Sequence, residues 1–265
     1  DFEHWGLWIC PDLDTVMYTL SGNSHPTQGW GQKGETFQCM DFVGELGEET
    51  WFQLGDRDLA THLIRTARLG RGETLSEITQ DLSLALGVEH RIVPMCDKTR
   101  QTHIKTKDGR VLDFQHWFVR EKCASKVERV FFSGQSEPSP QVLDALRRAQ
   151  LVVITPSNPY VSIDPIISLE GVRKILAQKP VVAVSPIVGG RAIKGPLGSM
   201  MNTITGQPPS AKSIAAHYGT LLDGIVVENR DEAQIDLLPV WGCSTIMGGT
   251  QDRARLAAEV LDFAW

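Results

Sequence analysis

Two carboxylates stand two residues apart in Pro11-Asp12-Leu13-Asp14-Thr15, just before a helical run over Thr15–Leu20. In an extended segment, side chains at i and i+2 point the same way. Such a pair can hold Mg²⁺ against phosphate oxygens, or one carboxylate can take the proton of an attacking hydroxyl. The same residues also suit a helix N-cap. The densest polar cluster is Leu54-Gly55-Asp56-Arg57-Asp58-Leu59-Ala60-Thr61-His62. There Asp56 and Asp58 flank Arg57 at the start of a helix, an arrangement that can clamp a planar or anionic ligand. Asp near a helix start is equally plain capping. His62 follows Asp58 by four residues and shares its helix face; a lone helical histidine reads as structural.

A second group of candidates lies in the later half. Pro156-Ser157-Asn158-Pro159-Tyr160 follows the apolar run Leu151–Thr155, and Ser185-Pro186-Ile187-Val188-Gly189-Gly190 follows Pro180–Val184. In an open parallel sheet, ligands sit beyond the carboxyl ends of the strands, where loop N–H groups and helix dipoles favour phosphate. Gly189 and Gly190 permit close backbone approach, Lys194 adds charge, and Asn158 can donate and accept at a ribose or base edge. Two ordinary strand-to-helix turns would carry the same residues.

The elements that must position these groups are α and β in alternation. Buried-strand runs at 151–155, 180–184 and 224–228, with 240–247 as a further strand, alternate with helical stretches over 163–178, 211–222 and 251–264. That pattern predicts a Rossmann-like, doubly wound, mostly parallel sheet. The first half is less regular. Helices are expected over 36–46, 58–67 and 74–86, and strands over 91–95, 110–118 and 127–132, with Lys107-Asp108-Gly109-Arg110 as a hairpin turn. The whole reads as one α/β domain over 1–265 with an inserted lobe at about 68–135.

Composition narrows the function classes. The 265 residues are 42% hydrophobic and 22% charged, with a formal net charge of -6. An acidic chain is poorly suited to a nucleic-acid backbone, and no apolar run reaches the ~18 residues of a membrane span. Cys10, Cys39, Cys96, Cys123 and Cys243 form no CxxC pair, which argues against a zinc site or disulfide framework and for a reducing cytoplasm. Trp5, Trp8, Trp30 and Trp51 crowd the opening fifth of the chain; most should be core, and one or two can stack on a flat heteroaromatic ligand.

Taken in order, Cys10-Pro11-Asp12-Leu13-Asp14-Thr15, Gly55–His62, Pro156–Pro159, Ser185–Gly190 and Lys194-Gly195-Pro196 resemble the 2-phospho-L-lactate transferase family of coenzyme F-420 biosynthesis. The resemblance covers nearly the whole chain. It implies a phosphotransferase acting on substituted phosphate groups with Mg²⁺. The acceptor is a deazaflavin alcohol, 7,8-didemethyl-8-hydroxy-5-deazariboflavin. The donor is a guanosine diphosphate-linked lactate or its phosphoenolpyruvyl counterpart, and GMP leaves. By similarity, Asp12 and Asp14 would hold metal or orient the acceptor hydroxyl. Asp14, Asp56, Arg57 and Asp58 would contact the deazaflavin. Ser157, Asn158, Pro159, Ser185, Gly189, Gly190 and Lys194 would hold the nucleotide. A homodimer is what the family implies.

Two departures from the family pattern stand out. Family members open with a strand and a Gly-rich turn, whereas this sequence begins at Asp1 without Met, so a preceding segment is expected. They also read Ser-Asp-Asp-Pro-Val-Arg-Thr where this chain has Cys96-Asp97-Lys98-Thr99-Arg100-Gln101-Thr102. A UDP-sugar-binding regulator of the same architecture is the alternative reading. A dinucleotide enzyme is disfavoured because these residues contain no GxGxxG followed by an acidic residue.

Overall fold

The computed structural model describes residues 1–27, 30–134, 137–193, 195–236 and 238–264. The chain divides into two compact units. One comprises Asp1–His103, Leu112–Ala124 and Phe132–Val142; the other comprises Ile104–Val111, Ser125–Phe131 and Leu143–Trp265.

The first unit opens with an antiparallel pair, β1 (Phe2–His4) and β2 (Leu7–Ile9), followed by four helices: α1 (Pro11–Leu20), α2 (Gln38–Glu45), α3 (Asp56–Leu69) and α4 (Leu75–Ala85). Helix α1 begins four residues before the run read from sequence. Pro11 takes its first turn, where the missing N–H costs nothing and the fixed φ suits a helix. Thr74 and Glu77 form a reciprocal capping box that starts α4. One apolar cluster joins Phe2, Ile9, Met40 and Leu54; another joins Met17, Tyr18 and Val88, with Leu82, Leu86 and Ile92 against it.

Strands β3 (Arg100–Thr106), β4 (Val111–Asp113) and β5 (Val127–Gly134) form a three-stranded sheet in the order β4-β3-β5. Gly109, at φ 90°, makes the turn between β3 and β4. Two strands expected here do not form as read. Residues 91–95 form no strand; Pro94 has no N–H to give a ladder, and Ile92 packs into a helical cluster instead. The run 110–118 is strand only at Val111–Asp113, and a π-helical turn over His116–Arg120 buries Trp117.

The second unit holds α5 (Pro140–Arg148), which begins in the first unit, then β6 (Val152–Ile154), α6 (Asp164–Ile167), α7 (Val172–Leu176) and β7 (Val181–Val184). A short hairpin, β8 (Ile187–Val188) and β9 (Arg191–Ala192), precedes α8 (Leu197–Thr205) and α9 (Ala211–Tyr218). The chain continues through β10 (Gly224–Glu228), β11 (Val240–Cys243) and α10 (Thr250–Ala264). The sheet runs β11-β10-β7-β6, and every neighbouring pair is parallel. The mixed α/β, parallel-sheet architecture expected from the alternation is therefore present. Strands β7 and β10 are buried along their whole length, as strands covered on both faces must be. Leu256 and Val260 of α10 pack on Val182, Val184, Val226 and Cys243. The helix expected over 163–178 is two short helices. Gly171 takes a left-handed conformation (φ 77°) between them, which an L-residue would adopt only with strain. No helix of the described residues is long and apolar enough to cross a membrane.

Candidate active site

Helix α3 is unusual in what it buries. Asp58, Thr61, His62 and Arg65 face inward, while Leu63 and Ile64 are exposed. Asp58, His62 and Arg65 occupy i, i+4 and i+7, one stripe of the helix. Asp14 of α1 meets that stripe. Its carboxylate takes two hydrogen bonds from Arg65: Nη1 donates to Oδ2 at 3.1 Å, and Nη2 donates to Oδ1. Both side chains are almost wholly buried. Burial pushes the Asp14 carboxyl above its ordinary range, and the guanidinium opposes that push. Burial works against the Arg65 charge, but its neighbours together, Asp14 foremost, outweigh it and the guanidinium is held above its usual value.

Asp58 has a neighbour at each carboxylate oxygen, and only Tyr18 is hydrogen-bonded to it. Tyr18 donates its hydroxyl to Oδ1 at 2.7 Å, and His62 Nε2 lies 3.4 Å from Oδ2. Burial, then the neighbouring Asp14 and Asp58, raise the Tyr18 phenol, so it remains a donor. Carboxylate or imidazole atoms of Asp14, Asp58 and His62 lie within 4.8 Å of one another. Two carboxylates against one guanidinium leave this buried group one negative charge in excess, and the donor set fits a divalent cation.

The group lies in the wall of a cavity of about 320 Å³, which is also lined by Thr15, Tyr18, Trp30, Trp51, Phe52 and Phe118. Charge is thus set beside aromatic walls, a combination suited to a flat ring with a polar tail.

Asp12 is not part of this arrangement. Because α1 already includes it, Asp12 and Asp14 differ by roughly 200° around the helix instead of pointing together. Asp12 is exposed, Asp14 is buried, and the cavity lining includes only Asp14. Arg57 is likewise elsewhere. Its Nη1 donates to the Lys33 carbonyl at 3.1 Å and its backbone N–H to Glu35 Oε1 at 2.7 Å, so neither Asp56 nor Asp58 clamps it. Asp56 serves a neighbouring helix: its carboxylate accepts from Thr36 Oγ1 and from the N–H groups of Gln38 and Cys39 at the start of α2. These bonds, the Thr36 hydroxyl foremost, hold its carboxyl below the ordinary range. The contribution is present above the unfolded value near 3.9 and lost as pH falls through the depressed folded one. Asp56→Ala should speed amide exchange at Gln38 and Cys39 while leaving exchange in α4 unchanged, measured by hydrogen-exchange mass spectrometry.

In the second unit, the loops after β6 and β7 leave adjacent parallel strands at the same sheet edge. Asn158 caps the π-helical turn that follows, with Oδ1 accepting from Tyr160 N at 3.0 Å, and its Nδ2 rests on Met200 Sδ at 3.4 Å. Ser157 faces Thr155 (hydroxyls 3.3 Å apart), and Pro159 begins the turn. Ser185 Oγ accepts from Ile187 N at 3.1 Å. Gly189 and Gly190 both take positive φ at the hairpin tip. The Gly189 N–H donates to Asp231 Oδ2 at 2.8 Å, so it does not face outward to a phosphate as the glycine pattern alone predicts. Arg230, which no sequence motif marks, has its guanidinium so close to Gly189 that a Cβ there would meet it at 3.1 Å. Lys194 lies outside the described residues. Asp97, in the departing loop, accepts from the Ser76 N–H at 2.8 Å and so supports the first turn of α4.

Arg65, Tyr18 and Phe118 were also missed from sequence. The signal for Arg65 was present: it continues the Asp58–His62 stripe by three residues, where a helix normally turns an apolar side chain inward.

Three comparisons place the chain. It resembles the phosphoenolpyruvate transferase of Thermobifida fusca at 41% identity over 272 residues, covering 100% of this chain and 84% of that protein. It resembles that of Streptomyces griseus at 36% over 278 residues, covering 100% and 87%, and that of Mycolicibacterium smegmatis at 35% over 274 residues, covering 98% and 84%. Its fold is similar to two crystal structures of protein BH3568 of Bacillus halodurans, one described as a UPF0052 family member. The first has a TM-score of 0.54 at 17% identity, covering 76% of this chain and 71% of that one. The second has 0.59 at 15%, covering 93% and 82%. Residues 2–238 match the family model described as 2-phospho-L-lactate transferase CofD. With that match and these relatives, the chain belongs to the CofD family of transferases.

Proposed function

We propose that this protein transfers an enolpyruvyl-phosphoryl group from a guanosine diphosphate-linked donor to the ribityl hydroxyl of 7,8-didemethyl-8-hydroxy-5-deazariboflavin, releasing GMP and forming dehydro coenzyme F-420-0. The observation that carries this reading is the aromatic-walled cavity in whose wall Asp14 and Asp58 lie, in a chain of the CofD family. The names of the relatives, all phosphoenolpyruvate transferases, favour the enolpyruvyl donor over the lactyl one.

In this reading the tricyclic ring lies among Trp30, Trp51, Phe52 and Phe118, and the ribityl chain reaches the carboxylates. Asp58 takes the proton as the hydroxyl oxygen attacks the phosphorus next to the enolpyruvyl group. The bond from that phosphorus to the GMP oxygen breaks, and GMP departs with its electron pair. Asp14 and Asp58 would hold Mg²⁺, which when bound would neutralise charge on the phosphoryl oxygens. The protein's share of such a reaction is positioning and charge, more than covalent work. In the second unit, Ser157, Asn158, Pro159, Ser185 and Gly190 are proposed to contact the guanine nucleotide. Lys194 and Arg230 supply positive charge for its phosphates.

The test uses full-length protein with the deazaflavin alcohol, Mg²⁺ and either enolpyruvyl or lactyl donor, following GMP by chromatography. One GMP per acceptor consumed, faster with the enolpyruvyl donor, is the expected result. Tight UDP-sugar binding with no GMP release would overturn the reading in favour of a regulator.

A further inference from the structure

We infer that the first unit carries a second binding site, a cavity beside α4 and residues 88–94 that takes an uncharged small molecule bearing a carboxamide on an apolar body. The inference does not depend on the transferase reading. The cavity has a volume of about 320 Å³, lies wholly among residues of the first unit and shares no lining residue with the aromatic-walled one. Helix α4 carries a stripe of hydroxyls along it. Ser76, Thr79 and Ser83 stand at i, i+3 and i+7 and so share a face; they are 6%, 3% and 4% exposed. None of the three hydroxyls has a hydrogen-bond partner among the described residues. Ser76 and Ser83 line the cavity, as does Gln141 of α5, whose Oε1 is also buried without a partner.

Hydroxyls inside a helix have an ordinary way to satisfy themselves, by donating to the carbonyl four residues back. Helix α8 uses it: Thr203 Oγ1 donates to the Ser199 carbonyl and Thr205 Oγ1 to that of Met201, both at 2.7 Å. Thr79 and Ser83 of α4 make no such bond. A buried hydroxyl without a partner costs the folded state stability that alanine at the same place would not, and rules broken in this way collect at functional sites. The donor set fixes the charge of the ligand. Glu89, His90 and Arg91, the lining residues that can carry charge, are all exposed. The buried polar groups are hydroxyls and an amide, which cannot pair a carboxylate or an ammonium taken out of water. A carboxamide suits them: its carbonyl accepts from a serine hydroxyl and its NH₂ donates to Gln141 Oε1. Leu84, Val88, Ile92 and Pro94 supply apolar lining for the rest of the molecule. A serine in the cavity wall reaches such a ligand by rotation about χ1, without movement of the backbone.

The test is methyl NMR on full-length protein with ¹³C-labelled Ile, Leu and Val, titrated with benzamide and with its charged isosteres benzoate and benzamidine. Benzamide should shift the methyls of Leu84, Val88 and Ile92 saturably, and both isosteres should bind at least about tenfold more weakly. The double variant Ser76→Ala/Ser83→Ala should bind benzamide about tenfold more weakly, having lost hydrogen bonds to it. The same variant should raise the Tm of the free protein by about 2–4 °C, because two unsatisfied hydroxyls are gone. Serines with a purely structural role give the opposite sign, a lower Tm. Equal binding of the three probes, a lower Tm in the double variant, unchanged benzamide affinity in it, or no saturable shift at these methyls would overturn the inference.

Discussion

Arg65→Met should destabilise the first unit by about 3–5 kcal/mol, because it leaves the Asp14 carboxylate buried without its partner. The loss is large because both groups are dry: the side chains are 1% and 5% exposed, so solvent screens the pair little. The substitution also strips the Trp8 carbonyl of its donor and removes the contact with His62 Nδ1. A typical domain is stable by about 5–15 kcal/mol, so the variant should still fold but with a much lower denaturation midpoint. Five of the seven tryptophans lie in the first unit, so fluorescence follows it. The double variant Asp14→Leu/Arg65→Met should recover most of the loss, since an apolar pair of similar volume carries no stranded charge. The single variant should also depend on pH in a definite direction. With the guanidinium gone, burial holds the Asp14 carboxyl further above its unfolded value of about 3.9. The folded state then binds the proton more tightly, so stability falls as pH rises from that value through the raised folded one, and acidification restores it. A single variant as stable as wild type across this window would show that the Asp14–Arg65 pair does not hold the two helices.

Asp58→Asn should lower kcat for group transfer by about 10²–10⁴-fold, the usual worth of a positioned proton acceptor. The KM for the deazaflavin should change little, since the aromatic walls are untouched. Asparagine keeps the shape of the side chain and a carbonyl that can accept from Tyr18, but its NH₂ replaces a carboxylate oxygen. That mismatch costs about 1–3 kcal/mol and is checked by the same fluorescence midpoint. Steady-state kinetics with GMP as the readout decides the matter. A kcat within a few-fold of wild type would remove Asp58 from the proton transfer and leave that role to Asp14.

The two halves of this protein were unequally legible from sequence. In the second unit, short β-branched runs correspond to β6, β7 and β10; β7 and β10 are buried on both faces and need continuous apolar sequence, whereas the edge strand β6 leaves Val153 exposed. The ordered motifs from Asp12 to Pro196 also carried the family, since each is a local string of residues. In the first unit, sequence marked Asp14 as a polar residue just before a helix and Asp58 and His62 as polar residues on one helix face, but not their association.

Three things were decided only by tertiary structure. The start of α1 at Pro11 turned Asp12 out and Asp14 in, because a two-residue step reverses face on a helix but not on a strand. Capping contacts with the Thr36–Cys39 segment took up Asp56, and the Lys33 and Glu35 contacts took up Arg57, although their spacing favoured a ligand clamp. Arg65, 51 residues from Asp14, became its partner because the packing of α1 against α3 left a buried carboxylate that only a nearby cation could satisfy. Residue type and local spacing thus determined which elements and which family this chain belongs to. Which carboxylate is buried, and which cation stands beside it, depends on the desolvation cost of charge at a particular place, and that place exists only once the helices have packed.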